Sequence, residues 1–119
     1  MKQSAFHEFV LHDLMGPIGG VTSRAMFGGW SFYRDGIIFA IVAEGALYFK
    51  VGAANRAAFE AADSHPFTYV GKDGRRVAMS YWLVPDEVME DGEVFREWVE
   101  GSLGVGRGKK VRLKKKRAP

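Results

Sequence analysis

The stretch Arg24-Ala-Met-Phe-Gly-Gly-Trp-Ser-Phe-Tyr-Arg-Asp-Gly-Ile-Ile-Phe-Ala-Ile-Val-Ala-Glu-Gly-Ala-Leu-Tyr-Phe-Lys50 decides the fold of this chain. It places three turn signals between short aromatic and β-branched runs: Gly28-Gly29, Asp35-Gly36 and Glu44-Gly45. An Asp-Gly pair between two such runs supplies the positive φ angles of a tight hairpin. The stretch therefore predicts a β-meander, a series of neighbouring antiparallel strands joined by short turns.

Helical patterns lie on both sides of the meander. Residues 2–15 predict a helix, because their large apolar residues fall on one helical stripe: Phe6, Phe9, Val10 and Leu14. Residues 53–62 predict a short, alanine-rich second helix whose large apolar anchor is Phe59. These helices have apolar residues to bury against the sheet.

The remainder of the chain predicts two more strands and a last helix. Residues 67–70 and 77–83 have strand character and are joined by a hairpin signal at Asp73-Gly74. Asp91 is typical of a helix N-cap, and Gly104 and Gly106 are expected to end the helix that follows. The resulting order is α-β-β-β-β-α-β-β-α with hairpin-type connections. It predicts an α+β fold, a two-layer sandwich in which an antiparallel sheet carries helices on one face.

Length and composition indicate one ordinary globular domain. The chain has 119 residues, of which 47% are hydrophobic and 26% are charged. It contains no cysteine, which excludes disulfides, thiolate catalysis and cysteine-ligated metals. No apolar run approaches the roughly 20 residues that span a membrane, and the N-terminus has no signal-peptide core. These features predict a cytoplasmic protein that does not bind membranes.

The basic residues are concentrated near the C-terminus. Eight of the 17 lie within residues 107–117, so residues 1–106 carry nine basic and 14 acidic residues and a net charge of −5. We therefore divide the chain into a domain at 1–105 and a basic tail at 106–119. The tail is either a nucleic-acid-binding segment that contacts phosphates or a disordered solubilising end. The candidate nucleic-acid-binding residues are Arg107, Lys109, Lys110, Arg112, Lys114, Lys115, Lys116 and Arg117.

The polar residues of the chain form no catalytic set. Gly28-Gly29 lies between two strands rather than before a helix, so a turn or bulge is favoured over a phosphate-binding loop. His7 and His12 are separated by about 140° around a helix and cannot share a metal. All three histidines, including His65, are interpreted as solvated or lightly hydrogen-bonded. The candidate nucleophiles Ser23, Ser80 and Ser102 do not lie in a Gly-x-Ser-x-Gly elbow. The sequence predicts no enzyme, cofactor or metal site.

Four side chains of the predicted strands are candidates for an interaction groove: Arg24, Met26, Lys50 and Tyr81. Arg24 and Lys50 are charges on strands that otherwise look half-buried, so they either pair with acids or face a groove. A structural position at an edge or on a solvent-exposed face is favoured over a ligand site. A pocket for a small ligand stays open as an alternative.

An ordered set of motifs resembles the N-terminal domain of the TfoX/Sxy family, bacterial proteins linked to the regulation of natural competence. The matching pieces run from about Phe6 to Leu103: Arg24-Ala-Met-Phe-Gly-Gly29, Asp35-Gly36, Phe39-Ala-Ile41, Leu47-Tyr-Phe-Lys50, Asn55-Arg56 with Phe59, Pro66-Phe67-Thr-Tyr69, Met79-Ser-Tyr81, Pro85, and Asp91 with Trp98. The resemblance implies the same α+β sandwich, a homodimer and no known catalytic activity. Larger family members carry a second, helical domain, where this chain has the basic tail.

The sequence thus favours a non-enzymatic cytoplasmic domain that acts in regulation by protein association. We expect a homodimer and an interaction with an unknown protein partner. The alternative is nucleic-acid binding in which the tail supplies affinity and the domain supplies dimerisation. A small-ligand binder or an enzyme is less favoured, because no motif supports either.

Overall fold

Six strands form one antiparallel sheet that divides the molecule into two faces. The computed structural model describes the backbone of residues 2–26 and 28–117, and the side chains of residues 5–26 and 28–108. The strand order is β1-β2-β3-β4-β6-β5, and every neighbouring pair is antiparallel, as predicted. The strands are β1 (Val21–Met26), β2 (Gly29–Arg34), β3 (Ile37–Ala43), β4 (Ala46–Lys50), β5 (Pro66–Val70) and β6 (Arg76–Leu83).

The turns of the meander have the positive φ angles of tight two-residue hairpins. Asp35 and Gly36 have φ angles of 54° and 75° and connect β2 to β3 as a two-residue hairpin. Glu44 and Gly45 repeat this geometry between β3 and β4, with φ angles of 52° and 77°. The predicted β-meander is confirmed.

The helices accompany this sheet, and the longest packs against its centre. They are α1 (Lys2–Glu8, continuing as a π-helix over Phe9–Leu14), α2 (Arg56–Ala61), α3 (Asp86–Met89) and α4 (Gly92–Arg117). Helix α4 contacts β3 and β4. The predicted N-cap is confirmed, because Asp91 Oδ1 accepts hydrogen bonds from the backbone N–H groups of Glu93 at 3.1 Å and Val94 at 3.2 Å. The short helix α3 was not predicted.

The main hydrophobic core lies between the helices and one face of the sheet. Phe49 on β4 is its aromatic centre, with ring-centroid distances of 6.1 Å to Phe39 on β3 and 5.5 Å to Phe95 on α4. All three side chains are at most 2% exposed. The α2 anchor Phe59 is buried as predicted and packs on the half-buried Trp98 at a centroid distance of 4.5 Å. The predicted two-layer α+β sandwich is confirmed.

The N-terminal helix differs from the prediction in its second half. The N–H of Met15 donates to the carbonyl of Val10, five residues earlier, at 2.9 Å, which is the pattern of a π-helix. Because a π-helix has a wider turn, side chains in this half leave the stripe expected for an α-helix. Val10 is fully buried, whereas Phe9 is 43% exposed. The prediction that Phe9 belongs to the buried face is wrong.

The last helix does not end at Gly104 and Gly106, so this prediction is also wrong. Neither glycine has a positive φ angle, and α4 continues through both to Arg117. A side chain at Gly106 would place its Cβ 2.5 Å from Cγ2 of Ile37 on β3. Gly106 therefore allows the helix to approach the sheet closely, which explains its presence inside a helix.

Candidate functional site

A second hydrophobic cluster occupies the sheet face opposite the main core. Its buried centre consists of Ile41, Tyr48 and Tyr81, on β3, β4 and β6 respectively. Half-buried apolar side chains surround this centre: Met26, Ile38, Ala43, Ala46, Phe67, Met79 and Leu83. All of these residues belong to strands, and no helix residue with a described side chain joins them. We call this surface the open face.

The β5–β6 hairpin covers part of the open face. The ring of Phe67 on β5 lies edge-on to Tyr48 at a centroid distance of 5.1 Å, and Met79 on β6 packs into the same cluster. Strand β6 pairs with β4 only through Tyr81, Trp82 and Leu83, so its first half extends beyond β4 together with β5. The hairpin thus contributes to the burial of the tyrosines on this face.

A cavity of about 490 Å³ lies between the hairpin and the other end of the sheet. Its walls are largely apolar, with Met26 and Ala43 on the meander side and Phe67, Tyr69 and Met79 on the hairpin side. The volume is within the range of small-molecule pockets, and such a concavity also accommodates a protruding side chain of another protein. Its chemistry suits an apolar occupant.

The structure places all four predicted groove residues on the open face. The guanidinium carbon of Arg24 lies 5.7 Å from the ring centroid of Tyr33, and Lys50 Nζ lies 5.1 Å from that of Tyr81. Lys50 and Tyr81 are register partners on β4 and β6, whereas Met26 lines the cavity at the end of β1. The four residues therefore share one surface, and Lys50 and Tyr81 are in contact on it.

Tyrosine hydroxyls give the open face a polar component. Burial raises the pKa of Tyr81, and the neighbouring Tyr33 raises it further. Burial also raises the pKa of Tyr48, with a further contribution from Glu44. These phenols therefore stay protonated at neutral pH and can donate hydrogen bonds to a partner.

Of the ten residues that form this cluster, the sequence indicated only Met26 and Tyr81. The residues that it missed include Tyr48, Phe67 and Met79. The alternation of strand side chains places Met79 on the same face as Tyr81, so this residue could have been found. Tyr48 lies between two other large apolar residues, and an unbroken apolar run does not indicate which residue faces which side. Phe67 lies at the register irregularity between Pro66 and Thr68, which the sequence does not reveal.

The sequence left His7 as either solvated or lightly hydrogen-bonded. The structure shows that it is not solvated, because the residue is only 4% exposed. Its Nε2 lies 2.8 Å from the hydroxyl oxygen of Ser23 on β1, and its ring stacks on Trp30 at a centroid distance of 3.6 Å. Nδ1 is buried without a hydrogen-bond partner in the structure, and the nearby Glu8 Oε2 is 3.6 Å away. Burial is the main cause of the lowered pKa of His7, opposed by Glu8 and reinforced by His12.

The Ser23–His7 pair has a contact that also occurs in serine nucleophile sites. Such a site further needs a substrate cleft and donors for the developing oxyanion. Neither the cavity under the hairpin nor a second cavity beside α2 is lined by these residues. The arrangement instead joins α1 to the edge strand β1.

Raising the pH should stabilise the fold through His7. Its pKa lies below 6.5 in the folded protein, so the unfolded chain binds the proton more readily. The stability contributed by neutral His7 is present above pH 6.5 and is lost as the pH falls through the folded pKa. Urea unfolding across this range should give a higher midpoint at the higher pH. His7→Gln should lose this part of the pH dependence. His12→Gln should retain most of it, because burial is the main cause of the lowered pKa of His7 and His12 makes a smaller contribution.

The described part of the chain contains neither a metal-binding cluster nor a membrane-crossing helix. No three of its histidine, aspartate and glutamate side chains are grouped to hold a metal ion. None of its helices combines the length and the apolar character that a crossing requires.

The basic segment continues helix α4, and its first candidate side chain is engaged within the domain. Arg107 Nη1 lies 3.9 Å from Glu100 Oε1, and the other carboxylate oxygen of Glu100 accepts a hydrogen bond from Arg34 at 3.1 Å. The candidate side chains from Lys109 to Arg117 lie outside the described residues, although the backbone there is helical.

These observations define a small α+β domain with helices on one face of an antiparallel sheet and a cluster of strand residues on the other. The family model of the TfoX N-terminal domain matches residues 13–105 of the chain. This match covers well over half of the sequence, and the chain belongs to that family. Comparison with curated proteins gives no match.

Proposed function

We propose that this chain is a non-enzymatic cytoplasmic domain that acts in regulation by protein association, as a homodimer formed through its open face. The observation that carries the proposal is an apolar surface, including a cavity, to which only strand residues contribute among the described side chains. The family is not known as enzymatic, which agrees with a role in binding.

The composition of the open face supports this proposal. Its aromatic and methionine side chains are types enriched at protein interfaces. Tyr69 and Val77, a register pair on the hairpin, remain 46% and 37% exposed in the single chain. Contact with a second copy would remove such apolar surface from water, and fully burying one large aliphatic side chain contributes about 1.5–3 kcal/mol.

Tyr69→Glu should weaken the homodimer, because it introduces a charge where an apolar contact is proposed. We expect the unmodified chain to sediment at twice its 13.2 kDa mass at micromolar concentration. The variant should raise the dimer dissociation constant by about 100-fold, equivalent to about 2.7 kcal/mol. Analytical ultracentrifugation over a dilution series measures both values.

Phe9→Glu is the matched control for this experiment. Phe9 is exposed to nearly the same extent as Tyr69 but lies on the N-terminal helix, away from the open face. It should leave dimerisation unchanged. A monomeric unmodified chain, or equal weakening by both variants, would contradict the proposed interface.

Nucleic-acid binding by the basic segment is a second candidate function, and one observation favours it. Helix α4 runs without interruption into residues 107–117, which contain eight basic residues and no acid. A basic helix contacts phosphates electrostatically, and dimerisation of the domain would present two such helices to one duplex.

Duplex binding should depend steeply on salt and be lost without residues 107–119. The slope of log affinity against log salt should increase by roughly 0.9 for each phosphate neutralised. Fluorescence anisotropy on two unrelated duplexes, at two salt concentrations, should show little sequence preference. A full-length variant with glutamine at Lys114, Lys115 and Lys116 should bind more weakly without shortening the helix. Equal binding by the truncated chain would exclude the segment as the site.

A further inference from the structure

We propose that the first half of β6 binds an extended, acidic peptide as an added β-strand. The site lies beside α2, where a cavity of about 490 Å³ is lined by Gly52, Ala53, Arg56, Ala78, Ser80 and Trp82. This cavity is separate from the proposed dimer contact of Tyr69. The assignment follows from the hydrogen-bond register of β6, the path of the chain after β4, and the charge around the gap.

The register of the β5–β6 hairpin shows which way the peptide groups of β6 point. Gly71 N–H donates to the carbonyl of Arg75 at 2.7 Å, so these two residues form a hydrogen-bonded pair. Bonded and non-bonded pairs alternate along an antiparallel ladder. The next two non-bonded pairs are Val70 with Arg76 and Thr68 with Ala78. Arg76 and Ala78 therefore direct their N–H and C=O groups away from β5.

Strand β4 pairs with this side of β6 only as far as Ser80. The last bond runs from the N–H of Val51 to the carbonyl of Ser80, at 2.8 Å. Continuation of the same register would place Ala53 opposite Ala78. The chain instead turns away at Gly52. The peptide groups of Ala78, which lines the cavity, and of Arg76, further along β6, therefore do not pair with β4.

Asn55 is the residue that turns the chain away. Its Oδ1 accepts a hydrogen bond from Gly52 N–H at 2.8 Å, and its Nδ2 donates to the carbonyl of Lys50 at 3.0 Å. The N–H of Arg56 donates to the carbonyl of Gly52 at 3.0 Å, which begins the turn into α2. These bonds hold the chain in a turn after Val51, so Ala53 is not placed opposite Ala78 and the edge of β6 remains open for another strand.

The charge around this gap favours an acidic occupant. Arg56 lies over the Trp82 ring at 5.3 Å and also donates to Glu60 Oε2 at 2.9 Å, while Arg76 on β6 donates to Thr68 Oγ1 on β5 at 2.9 Å. The two arginines thus outnumber the one acid that pairs with them. The connecting turn adds Lys72 and Arg75 against one acid, Asp73. An extended peptide with acidic side chains toward these arginines would gain charge complementarity in addition to main-chain hydrogen bonds.

The test uses the full chain and a blocked six-residue peptide of alternating valine and glutamate. Amide hydrogen exchange measured by NMR should show fast exchange at Ala78 and Arg76 in the free protein. Excess peptide should slow exchange at Ala78 by at least about tenfold, corresponding to about 1.4 kcal/mol. Absence of this protection at millimolar peptide would overturn the proposal.

Three comparisons identify the contacts. Ala78→Pro removes an N–H that β5 does not use, whereas Ala78→Val keeps it, so only the proline variant should lose peptide binding. Two further peptides, one N-methylated on its odd-numbered residues and one on its even-numbered residues, test the same hydrogen bonds in the unmodified protein. Only one of the two should fail to bind. Replacement of glutamate by lysine in the peptide should weaken binding at least about tenfold. Equal binding by Ala78→Pro, by both methylated peptides or by the lysine peptide would contradict the assignment.

Discussion

Phe49→Ala is expected to lower the free energy of unfolding by about 3–5 kcal/mol. The side chain is fully buried at the centre of β4, where it contacts an aromatic ring of β3 and another of α4. Truncation removes the contacts that join the meander to the last helix and leaves a cavity that close-packed neighbours fill only partly. Urea unfolding followed by tryptophan fluorescence measures the change.

Phe9→Ala is the control, because it makes the same chemical change at a site that is 43% exposed. Its cost should be about 1 kcal/mol or less. Comparable losses in the two variants would mean that the aromatic centre of the core has been assigned to the wrong residues.

Gly29→Ala should destabilise the protein by about 3 kcal/mol, the second large effect. A Cβ atom at this position would overlap the carbonyl oxygen of Val42 on β3. The obstacle is backbone within a central strand, which cannot move aside without disturbing the β2–β3 register. Thermal unfolding of the two proteins gives the difference.

The adjacent Gly28 provides a matched comparison. Its φ angle is 76°, and a Cβ atom there would meet nothing within 4 Å. Gly28→Ala should therefore cost only about 1–2 kcal/mol, the penalty of a left-handed conformation for an ordinary residue. A larger loss at Gly28 than at Gly29 would contradict the steric explanation.

Local chemistry made the meander predictable. Asp35-Gly36 and Glu44-Gly45 specify tight hairpins within a few residues, and Asp91 caps the helix that begins next to it. The same reasoning failed at Gly106, because its role depends on Ile37, which is far away in the sequence. A residue pattern within one segment does not indicate where a helix will pack closely against a distant strand.

The candidate surface was predictable to a similar extent. Strand alternation supports a shared face for Arg24 and Met26, and the structure places both on the open face. The pairing of Lys50 with Tyr81 depends on β6 joining the sheet beside β4, across the intervening helix α2. The cavity under the hairpin is lined by residues from both ends of the chain's sheet, and no pattern within one segment specifies that they come together.

The side chain of Asn55 has two structural consequences: it leaves the edge of β6 open, and it holds the turn from which α2 begins. Its amide also lies 3.5 Å from Ser102 Oγ on α4, so a single residue links the end of β4, the beginning of α2 and the last helix. Extending β4 to Ala53 would fill the edge but remove the bonds that begin α2. A substitution at Asn55 should therefore act at two places at once, because the bonds that keep the chain from filling the edge are made where α2 begins.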